Sequence, residues 1–552
     1  MRLRTGFGLQ LAAGSAIFGP ARAEGIAAGP TPNLQPSMVS KRSTVTIAAI
    51  LAVAGAWLGL ANPVYRLPFL VLLLPAALAY VAVYAPTTRA AARAAYWIGA
   101  LSASASLYWT CLPIHDFGGL PWVLALPVPV LMGLVLGLYT AALALALRLG
   151  AQRLPPWLFI PYCAAAWTVM EAARGLLFTG FPWLTLAAAF SPWPAAVQGA
   201  AFLGAYGLSG LFAGLAAALA VYGPFSRPGL AVIVLAMALF FLGNRRLDEP
   251  LAKDGAAHVT IVQGNVDQSR KWAPEAEDET VTKYLELSRQ AIAHTPTDLL
   301  IWPETSMPFF YQDGGPLAQR IREFAAQAAV PLVFGAPAYE RSLGGHVLYN
   351  RAYLLAPSGE TAAYDKVHLV PFGEYVPLGD YFPFIGKLVE GVGDFRPGRT
   401  DAPLAHGSLA LGTLICYEAI FPELAQKRVA AGANVLVNIS NDAWFGDSAA
   451  PHQHLDLALL RAVEQGRSLI RGTNTGISAV IDPRGRIIAQ GGLFTALTLP
   501  CPEVPIMSET TWFHRHNTLI TWGIPVLFAA LGLAALGLPV RRAKIRPGSL
   551  TL

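Results

Sequence analysis

The stretch 408-SLALGTLICYEAI-420 decides the fold that we predict for the second half of this chain. Residues 408–416 are largely apolar and follow Gly407, which is typical of a short buried strand. The residues 417-YEAIFPELAQKRVAAG-432 predict a helix, so Cys416 would stand where strand turns into helix. A helix N-terminus lowers the pKa of a thiol, and we expect the sulfur to point outward there. Because free cysteine is also among the most buried residue types, this stretch alone leaves Cys416 open as a small core residue.

Strand-like stretches alternate with helical patterns from about residue 245 to 510. Repeated strand–helix units predict a layered α/β domain, in which functional side chains collect where strands end. The predicted strands are 258–266, 298–304, 331–339, 349–359, 408–416, 433–441 and 476–485, and the predicted helices are 278–294, 316–329, 418–431 and 452–468.

Two further strand ends carry ionisable residues. Glu304 closes the second predicted strand inside 301-IWPETSMP-308. Lys366 and Glu374 lie in 364-YDKVHLVPFGEYVP-377, an apolar and aromatic stretch that suggests partial burial of the lysine. The ordinary alternatives are a loop glutamate and a solvated lysine.

A glutamate, a lysine and a cysteine form a recognisable chemical set. A thiol has a free pKa of about 8.5, so it needs a base such as Glu304 to become a nucleophile. An ammonium such as that of Lys366 stabilises the thiolate and then the oxyanion of a tetrahedral intermediate. The backbone N–H of Tyr417 is a candidate second donor to that oxyanion. Attack by Cys416 would leave a thioester, which a second nucleophile must resolve.

The composition indicates membrane spans. Hydrophobic residues make up 54% of the 552 residues and charged residues only 13%. The net charge of +6 fits basic loops beside a membrane, and without a nucleic-acid-binding pattern we expect no nucleic-acid partner. We predict a multi-span α-helical membrane bundle of about eight helices that carries the α/β domain. The predicted spans are 46–61, 66–85, 94–112, 121–147, 157–177, 199–222, 229–244 and 518–540.

These patterns divide the chain into five parts. A membrane domain of seven helices occupies 46–245, the α/β domain 257–505 and a last membrane helix 518–540. Residues 1–45 are expected to be a poorly ordered or overextended start, with Met1 and Met38 both open as the true first residue. Residues 541–552 would be a cytoplasmic tail.

The basic residues of the short loops predict the orientation. If both termini are cytoplasmic, these residues fall on the cytoplasmic side, as the positive-inside rule requires. The α/β domain is then extracytoplasmic. The basic residues in question are Lys41, Arg42, Arg89, Arg93, Arg148, Arg153 and Arg227.

The motifs WPE, YDKVHLVPFGEYVP and ICYE, in this order, resemble the carbon–nitrogen hydrolase (nitrilase) superfamily over about 257–505. The resemblance implies an αββα fold and a catalytic triad of Glu304, Lys366 and Cys416. With the membrane spans included, residues 46–540 resemble the bacterial apolipoprotein N-acyltransferases. The additional motifs that carry this are 171-EAARGLLFTGFPW-183, 261-IVQGNVDQSRKW-272 and 440-SNDAWFG-446.

The resemblance implies a two-step acyl transfer in the bacterial inner membrane, with the α/β domain on the periplasmic side. A phospholipid, typically phosphatidylethanolamine, would acylate Cys416, and the acyl chain would pass to the N-terminal amine of a diacylated apolipoprotein. Membrane lipids would surround the helices, and neither a cofactor nor a metal is implied. The resemblance also implies that Glu374 and Glu418 support the triad and that Tyr417, Trp272 and Trp444 shape the pocket or its gate.

Two other functions stay open at this point. A membrane-tethered amidase or nitrilase would use the same triad but would leave the eight spans unexplained. A transporter or scaffold with an inert nitrilase-like domain predicts an incomplete triad, whereas Glu304, Lys366 and Cys416 are all present.

Other polar and aromatic stretches have more than one interpretation. The pair in 452-HQH-454 is disfavoured as a metal site because residues two apart on a helix do not face one ligand. Glu171 and Arg174 are costly in lipid, so we expect them to pair or to face the bundle interior, and a role in substrate approach stays open. The aromatic loops 181–184 and 383–388 would be lids or part of an interfacial aromatic belt.

Overall fold

The computed structural model describes residues 38–342, 345–376 and 394–540. Of the predicted N-terminal extension, only residues 38–45 fall within these ranges. The predicted tail 541–552 and the candidate lid 383–388 lie outside the described residues.

The first half of the described chain is helical. A π-helical turn, Trp57–Ala61, continues the first helix, and a 3₁₀ turn, Pro68–Leu72, leads into the second. Prolines occupy the first turn of several helices, where a missing N–H costs nothing. The helices are α1 (Met38–Ala56), α2 (Leu73–Tyr84), α3 (Thr88–Ser106), α4 (Cys111–Asp116), α5 (Trp122–Ala125), α6 (Pro127–Arg153), α7 (Pro156–Leu176), α8 (Pro194–Val197), α9 (Ala200–Tyr222) and α10 (Arg227–Asp248).

Two six-stranded sheets form the second half. The first has the order β12-β1-β2-β3-β4-β5 and the second the order β11-β10-β9-β8-β7-β6. The strands are β1 (Gly255–Gln263), β2 (Leu299–Ile301), β3 (Leu332–Ser342), β4 (Gly345–Leu355), β5 (Thr361–Asp365), β6 (Leu404–His406), β7 (Leu409–Ile415), β8 (Val435–Ser440), β9 (Leu469–Thr473), β10 (Ala479–Ile481), β11 (Ile487–Gln490) and β12 (Leu497–Ile506).

Four helices cover the sheets: α11 (Pro274–His294), α12 (Gly315–Ala328), α13 (Pro422–Ala430) and α14 (Ala450–Gln465). The short α15 (Trp512–Arg515) and the closing α16 (Asn517–Gly537) follow β12 and pack against other helices, among them α9 and α7. In each sheet three neighbouring strands run parallel, β1–β2–β3 in one and β7–β8–β9 in the other. Parallel neighbours need crossover connections, which α11, α12, α13 and α14 supply.

The core lies between the two sheets. Ile261 and Ile301 of the first sheet share one buried apolar cluster with Val437 and Ile470 of the second. The sheets approach so closely that a Cβ at Gly472 would lie 2.9 Å from Cγ2 of Ile301. The predicted nitrilase-like α/β domain is therefore present.

The membrane helices confirm the prediction of several apolar spans, but not their number. By length and hydropathy, five helical segments of the described chain can cross a membrane: Ser43–Ala61, Trp122–Arg153, Ala200–Tyr222, Arg227–Asp248 and Asn517–Gly537. The predicted spans 66–85, 94–112 and 157–177 also contain helices, of which the first is shorter and the other two carry charged residues. The count of eight thus stays a prediction.

Two boundaries differ from the sequence prediction for identifiable reasons. Helix α3 begins at Thr88 rather than near residue 94, because the Thr87 hydroxyl caps it by accepting a hydrogen bond from the Ala90 N–H at 3.1 Å. The predicted helix after Cys416 is a 3₁₀ turn, Cys416–Ile420, followed by α13. Pro422 has no N–H to continue that turn, and it starts a new helix instead.

Candidate active site

Cys416 lies where β7 ends, in a backbone conformation that is rare for a residue with a side chain. Its φ is 51°, in the left-handed region that costs free energy outside glycine and occurs often at functional sites. Its backbone carbonyl accepts hydrogen bonds from Nε2 of His454 at 3.0 Å and from Nδ2 of Asn438 at 3.3 Å. These two donors hold the strained turn in place.

The electrostatics of Cys416 differ from the sequence prediction. The residue is 8% exposed. Burial raises the pKa of its thiol well above the ordinary value, the Glu304 carboxylate raises it further, and the Lys366 ammonium lowers it. The expectation of a lowered thiol pKa and an outward-pointing sulfur is therefore wrong, because burial between the sheets outweighs the end of a short 3₁₀ turn. The resting group is a protonated thiol that needs a base.

Lys366 lies between two carboxylates. Its ammonium Nζ is 3.0 Å from Oε1 and 2.9 Å from Oε2 of Glu374, and 3.7 Å from Oε1 of Glu304. Burial alone would lower the pKa of Lys366, but Glu374 and Glu304 more than offset this, so its pKa is raised and the ammonium stays charged. The structure thus brings together three of the predicted site residues in direct contact.

Two amides that the sequence analysis did not single out hold the carboxylate of Glu304. Nδ2 of Asn350 on β4 donates to Oε1 of Glu304 at 2.7 Å and to Oε1 of Glu374 at 2.9 Å. The backbone N–H of Asn441 donates to Oε2 of Glu304 at 2.9 Å. One oxygen of Glu304 therefore faces Asn350 and Lys366, and the other faces the end of β8.

Glu418 joins the turn at Cys416 to the segment that follows Lys366. Its Oε1 accepts the backbone N–H of Val367 at 2.7 Å and of His368 at 3.0 Å, and its Oε2 accepts that of Ile415 at 2.7 Å. Val367 directly follows Lys366, and Ile415 directly precedes Cys416. Although burial raises the pKa of Glu418, these backbone donors oppose the shift and favour the carboxylate. Its position is that of a residue that orients the lysine and the cysteine.

The aromatic residues of the prediction lie in different surroundings. The Tyr417 hydroxyl donates to the backbone carbonyl of Gly180, in the loop after α7, at 3.1 Å. Trp444 is half-buried, and its ring centroid lies 4.9 Å from that of Phe117, just after α4. Trp272 is 37% exposed, and within the described chain no hydrogen bond or ring contact joins it to the other predicted site residues. Tyr417 and Trp444 thus pack against loops of the helical half.

Comparison with known proteins gives the family. The family model described as carbon-nitrogen hydrolase matches residues 258–499, and the one described as apolipoprotein N-acyltransferase N-terminal domain matches residues 54–219. An apolipoprotein N-acyltransferase from Geobacter metallireducens is 39% identical over 79% of this chain and 85% of its own. A relative of the same name from Nitrosomonas europaea is 34% identical over 78% of this chain and 86% of its own. Another, from Methylococcus capsulatus, is 33% identical over 75% of this chain and 85% of its own.

The chain belongs to the apolipoprotein N-acyltransferase family. It is therefore an acyltransferase of lipoprotein maturation, as the motifs predicted, and this function is favoured over the amidase alternative.

Beside Cys416 of this acyltransferase lies a buried polar cluster that the sequence analysis missed. Arg471 donates to Oδ2 of Asp442 at 2.7 Å and to Nδ1 of His454 at 3.0 Å. Because the Cys416 carbonyl can only accept, the proton of His454 is on Nε2. Burial and Arg471 lower the pKa of His454, which favours this neutral form. The histidine that the sequence offered as a weak metal candidate instead holds the backbone of Cys416.

Gln453, the residue before His454, connects the α/β domain to the helical half. Oε1 of Gln453 accepts the indole N–H of Trp109 at 2.9 Å and of Trp183 at 2.7 Å. Its Nε2 donates to the carbonyls of Leu60 at 3.0 Å and Ser106 at 3.1 Å. Two neighbouring residues of α14 therefore make different contacts. Gln453 binds segments of the helical half, and His454 binds the turn at Cys416.

Proposed function

We propose that the acyl donor is a phospholipid, with phosphatidylethanolamine as the expected species, and that Cys416 is the nucleophile. Glu304 takes the thiol proton, and the sulfur attacks the ester carbonyl. The Lys366 ammonium and the Tyr417 backbone N–H stabilise the oxyanion. As the intermediate collapses, the ester C–O bond breaks, Glu304 returns the proton to the leaving oxygen, and lysophospholipid departs. The acyl chain stays on Cys416 as a thioester.

The second step consumes this thioester. The N-terminal amine of a diacylglyceryl-cysteine apolipoprotein attacks the thioester carbonyl, and the Glu304 carboxylate accepts a proton from that amine. The C–S bond breaks as the amide forms, and the proton passes to the Cys416 sulfur. One carboxylate thus moves one proton in each step, and the enzyme returns to its resting thiol.

The supporting residues act through the triad or at its entrance. Glu374 keeps the Lys366 ammonium in place, and Glu418 fixes the backbone on both sides of the reacting pair. Trp272 and Trp444 belong to the edge of the lipid-binding region, where an exposed indole suits a membrane interface. These roles fit their burial and their contacts.

The membrane arrangement is part of the same proposal. Eight spans place both termini in the cytoplasm and the α/β domain outside it, on the periplasmic side of a bacterial inner membrane. The basic loops support this orientation.

The observation that carries the proposal is the hydrogen bond from Tyr417 to Gly180. The residue next to the nucleophile is bonded to the loop that follows α7, at the junction of the α/β domain with the helical half. An ester held in a bilayer can reach a thiol at such a junction, whereas a nitrilase-like domain that takes small soluble amides has no need of it.

Intact mass spectrometry tests the acyl-enzyme. Incubation with phosphatidylethanolamine should add the mass of one acyl chain, and hydroxylamine should remove it. Cys416→Ala should abolish the gain, while Cys501→Ala, which removes another buried cysteine of the same domain, should keep it. Release of ammonia from small amides with no acyl mass gain would contradict the proposal and support an amidase.

Cysteine labelling tests the orientation. A membrane-impermeant maleimide should label Arg486→Cys, on the exposed surface of the α/β domain, in intact spheroplasts. It should label Arg89→Cys, at the start of α3, only after the membrane is disrupted. The reverse pattern would place the domain in the cytoplasm.

A further inference from the structure

Lys271 points inward from a surface stretch between β1 and α11. It is 1% exposed, whereas its neighbour Trp272 is 37% exposed. The side chain of its other neighbour, Arg270, is 72% exposed. One buried ammonium therefore lies between two exposed neighbours.

The described residues supply no acceptor to this ammonium. Over the ranges 38–342, 345–376 and 394–540, no hydrogen bond or ion pair engages the Lys271 side chain. An ammonium carries three N–H donors, and a buried charge without a partner is costly. Lysine is seldom fully buried unless it is paired, and the described part of the chain leaves this ammonium open to an anionic ligand.

The segment that carries Lys271 is anchored to the triad. Oε1 of Gln268 accepts a hydrogen bond from Nδ2 of Asn441 at 2.6 Å, and the backbone N–H of Asn441 donates to Glu304. The carboxylate of Glu304 acts electrostatically on Lys271, although both of its oxygens are already hydrogen-bonded. Burial lowers the pKa of Lys271 to about 8 against the opposing effect of Glu304, so the ammonium is still mostly charged at neutral pH.

We propose that Lys271 binds the phosphate of the acyl donor. This inference rests on the proposed function, in which the donor ester carbonyl lies at Cys416 beside Lys366. The phosphodiester is joined to that ester through the glycerol unit, so it can meet a second cation near the triad. A lysine suits this task because it binds phosphate as a point charge. The amine acceptor needs no such group, so Lys271 would select the donor.

The alternative role is electrostatic adjustment of the triad by a second cation, with no ligand contact. The two roles differ in what they do to Cys416. A phosphate-binding lysine affects phospholipid use and leaves the intrinsic reactivity of the thiol unchanged. A lysine that adjusts Glu304 or Cys416 changes thiol reactivity towards every reagent.

The experiment combines two measurements on the full-length protein in detergent micelles. The first is the rate of acyl-enzyme formation as a function of phosphatidylethanolamine concentration. The second is the rate of Cys416 alkylation by iodoacetamide, a small neutral reagent without phosphate, as a function of pH. The variants are Lys271→Met, Lys271→Arg and, as a control, Lys253→Met, which removes a half-exposed lysine just before β1.

We expect Lys271→Met to raise the half-saturating phospholipid concentration at least tenfold, with the maximal rate changed less than threefold. Its alkylation profile should match that of the native protein, Lys271→Arg should recover most of the affinity, and Lys253→Met should behave as native. An unchanged phospholipid dependence, or a shifted alkylation profile, would overturn the inference. If the native protein alkylates at Cys416 but never forms an acyl-enzyme from phospholipid, the proposed function itself fails and this inference falls with it.

Discussion

Nε2 of His454 donates a hydrogen bond to the backbone carbonyl of Cys416 at 3.0 Å, and so supports the turn that carries the proposed nucleophile. The turn needs such support because Cys416 has a φ of 51°. Gln453, the residue before His454, is hydrogen-bonded to the helical half of the molecule. Helix α14 therefore contacts both the turn at Cys416 and the helical half.

Replacement of His454 by phenylalanine tests this support. Phenylalanine keeps a ring beside Trp183, whose centroid lies 5.4 Å from that of His454, but it removes the Nε2–H. The carbonyl of Cys416 then keeps only the longer bond from Asn438. We expect acyl-enzyme formation to slow by about 10- to 100-fold, because a small displacement of a nucleophile has effects of this size.

The control for this change is His452→Phe, on the same helix two residues earlier. Rapid-quench mass spectrometry measures the acylation rate, and a saturation series separates the maximal rate from the apparent affinity for phospholipid. A maximal rate of His454→Phe within twofold of native would contradict the positioning role.

Gln453→Leu should destabilise the protein rather than alter its chemistry directly. The change leaves the indole N–H groups of Trp109 and Trp183 and the carbonyls of Leu60 and Ser106 without the partner they have now. Each buried polar group left unpaired costs about 1–3 kcal/mol, so thermal unfolding in detergent should begin at a clearly lower temperature. The exposed Gln319→Leu is the control and should unfold like the native protein. Equal unfolding temperatures for both variants would show that the four bonds contribute little.

The three residues that we predict as the triad are visible in the sequence because each lies at or just after the end of a predicted strand, inside a recognisable motif. The sequence does not predict their partners, since those depend on which distant segments meet. Asn441 reaches Glu304 across 137 positions of the chain, and Asn350 reaches it across 46. A polar asparagine inside a predicted strand, beside the charged Arg351 in 349-YNRAYLL-355, was the one local signal for such a residue.

The difference between local sequence signals and contacts between distant segments also explains why the pKa predicted for Cys416 was wrong. Local sequence predicts a helix N-terminus and hence a lowered pKa, because the end of a helix is visible in the pattern. The burial that raises the pKa comes from two sheets that meet only in the folded chain, with Cys416 in the cluster between them. The strands β5, β6, β9, β11 and β12 were missed for a related reason, since pairing with neighbours rather than local pattern defines them.

Glu418→Gln should impair catalysis without removal of any group that touches the substrate. Glutamine offers one acceptor oxygen, and its amide N–H₂ would face a backbone N–H of either Ile415 or the Val367–His368 pair. We expect the acylation rate to fall by about 100-fold through misplacement of Lys366 and Cys416.

Glu423→Gln is the matched change on the neighbouring helix α13 and should retain most of the activity. Acylation kinetics, together with an unfolding curve for each variant, separate misplacement from loss of the fold. If Glu418→Gln forms the acyl-enzyme at the native rate, the orienting role of the carboxylate is wrong.

Substitutions of the two charged triad residues should change the reactivity of Cys416 in opposite directions. Because the Lys366 ammonium lowers the pKa of Cys416, Lys366→Met raises it, and the thiolate fraction at any pH below that pKa falls. Because the Glu304 carboxylate raises the same pKa, Glu304→Gln lowers it, and that fraction rises. In this pH range the thiolate fraction changes about tenfold when the pKa of the thiol moves by about 1.

Alkylation of Cys416 by iodoacetamide measures the thiolate fraction of this residue. The reaction is followed by peptide mass spectrometry from about pH 6 to 10, a range that includes the pKa of a free thiol. At each pH the order of rates should be Glu304→Gln, native, Lys366→Met, from fast to slow, while acyl-enzyme formation is lost in both variants. In Glu304→Gln the Cys416 thiolate therefore forms more readily, yet the enzyme is inactive. The reason is that no carboxylate is left to return a proton to the departing lysophospholipid. Slower alkylation in Glu304→Gln than in the native protein would contradict this electrostatic account and would show that proton removal by Glu304 outweighs its effect on the pKa of Cys416 in the reaction with iodoacetamide as well.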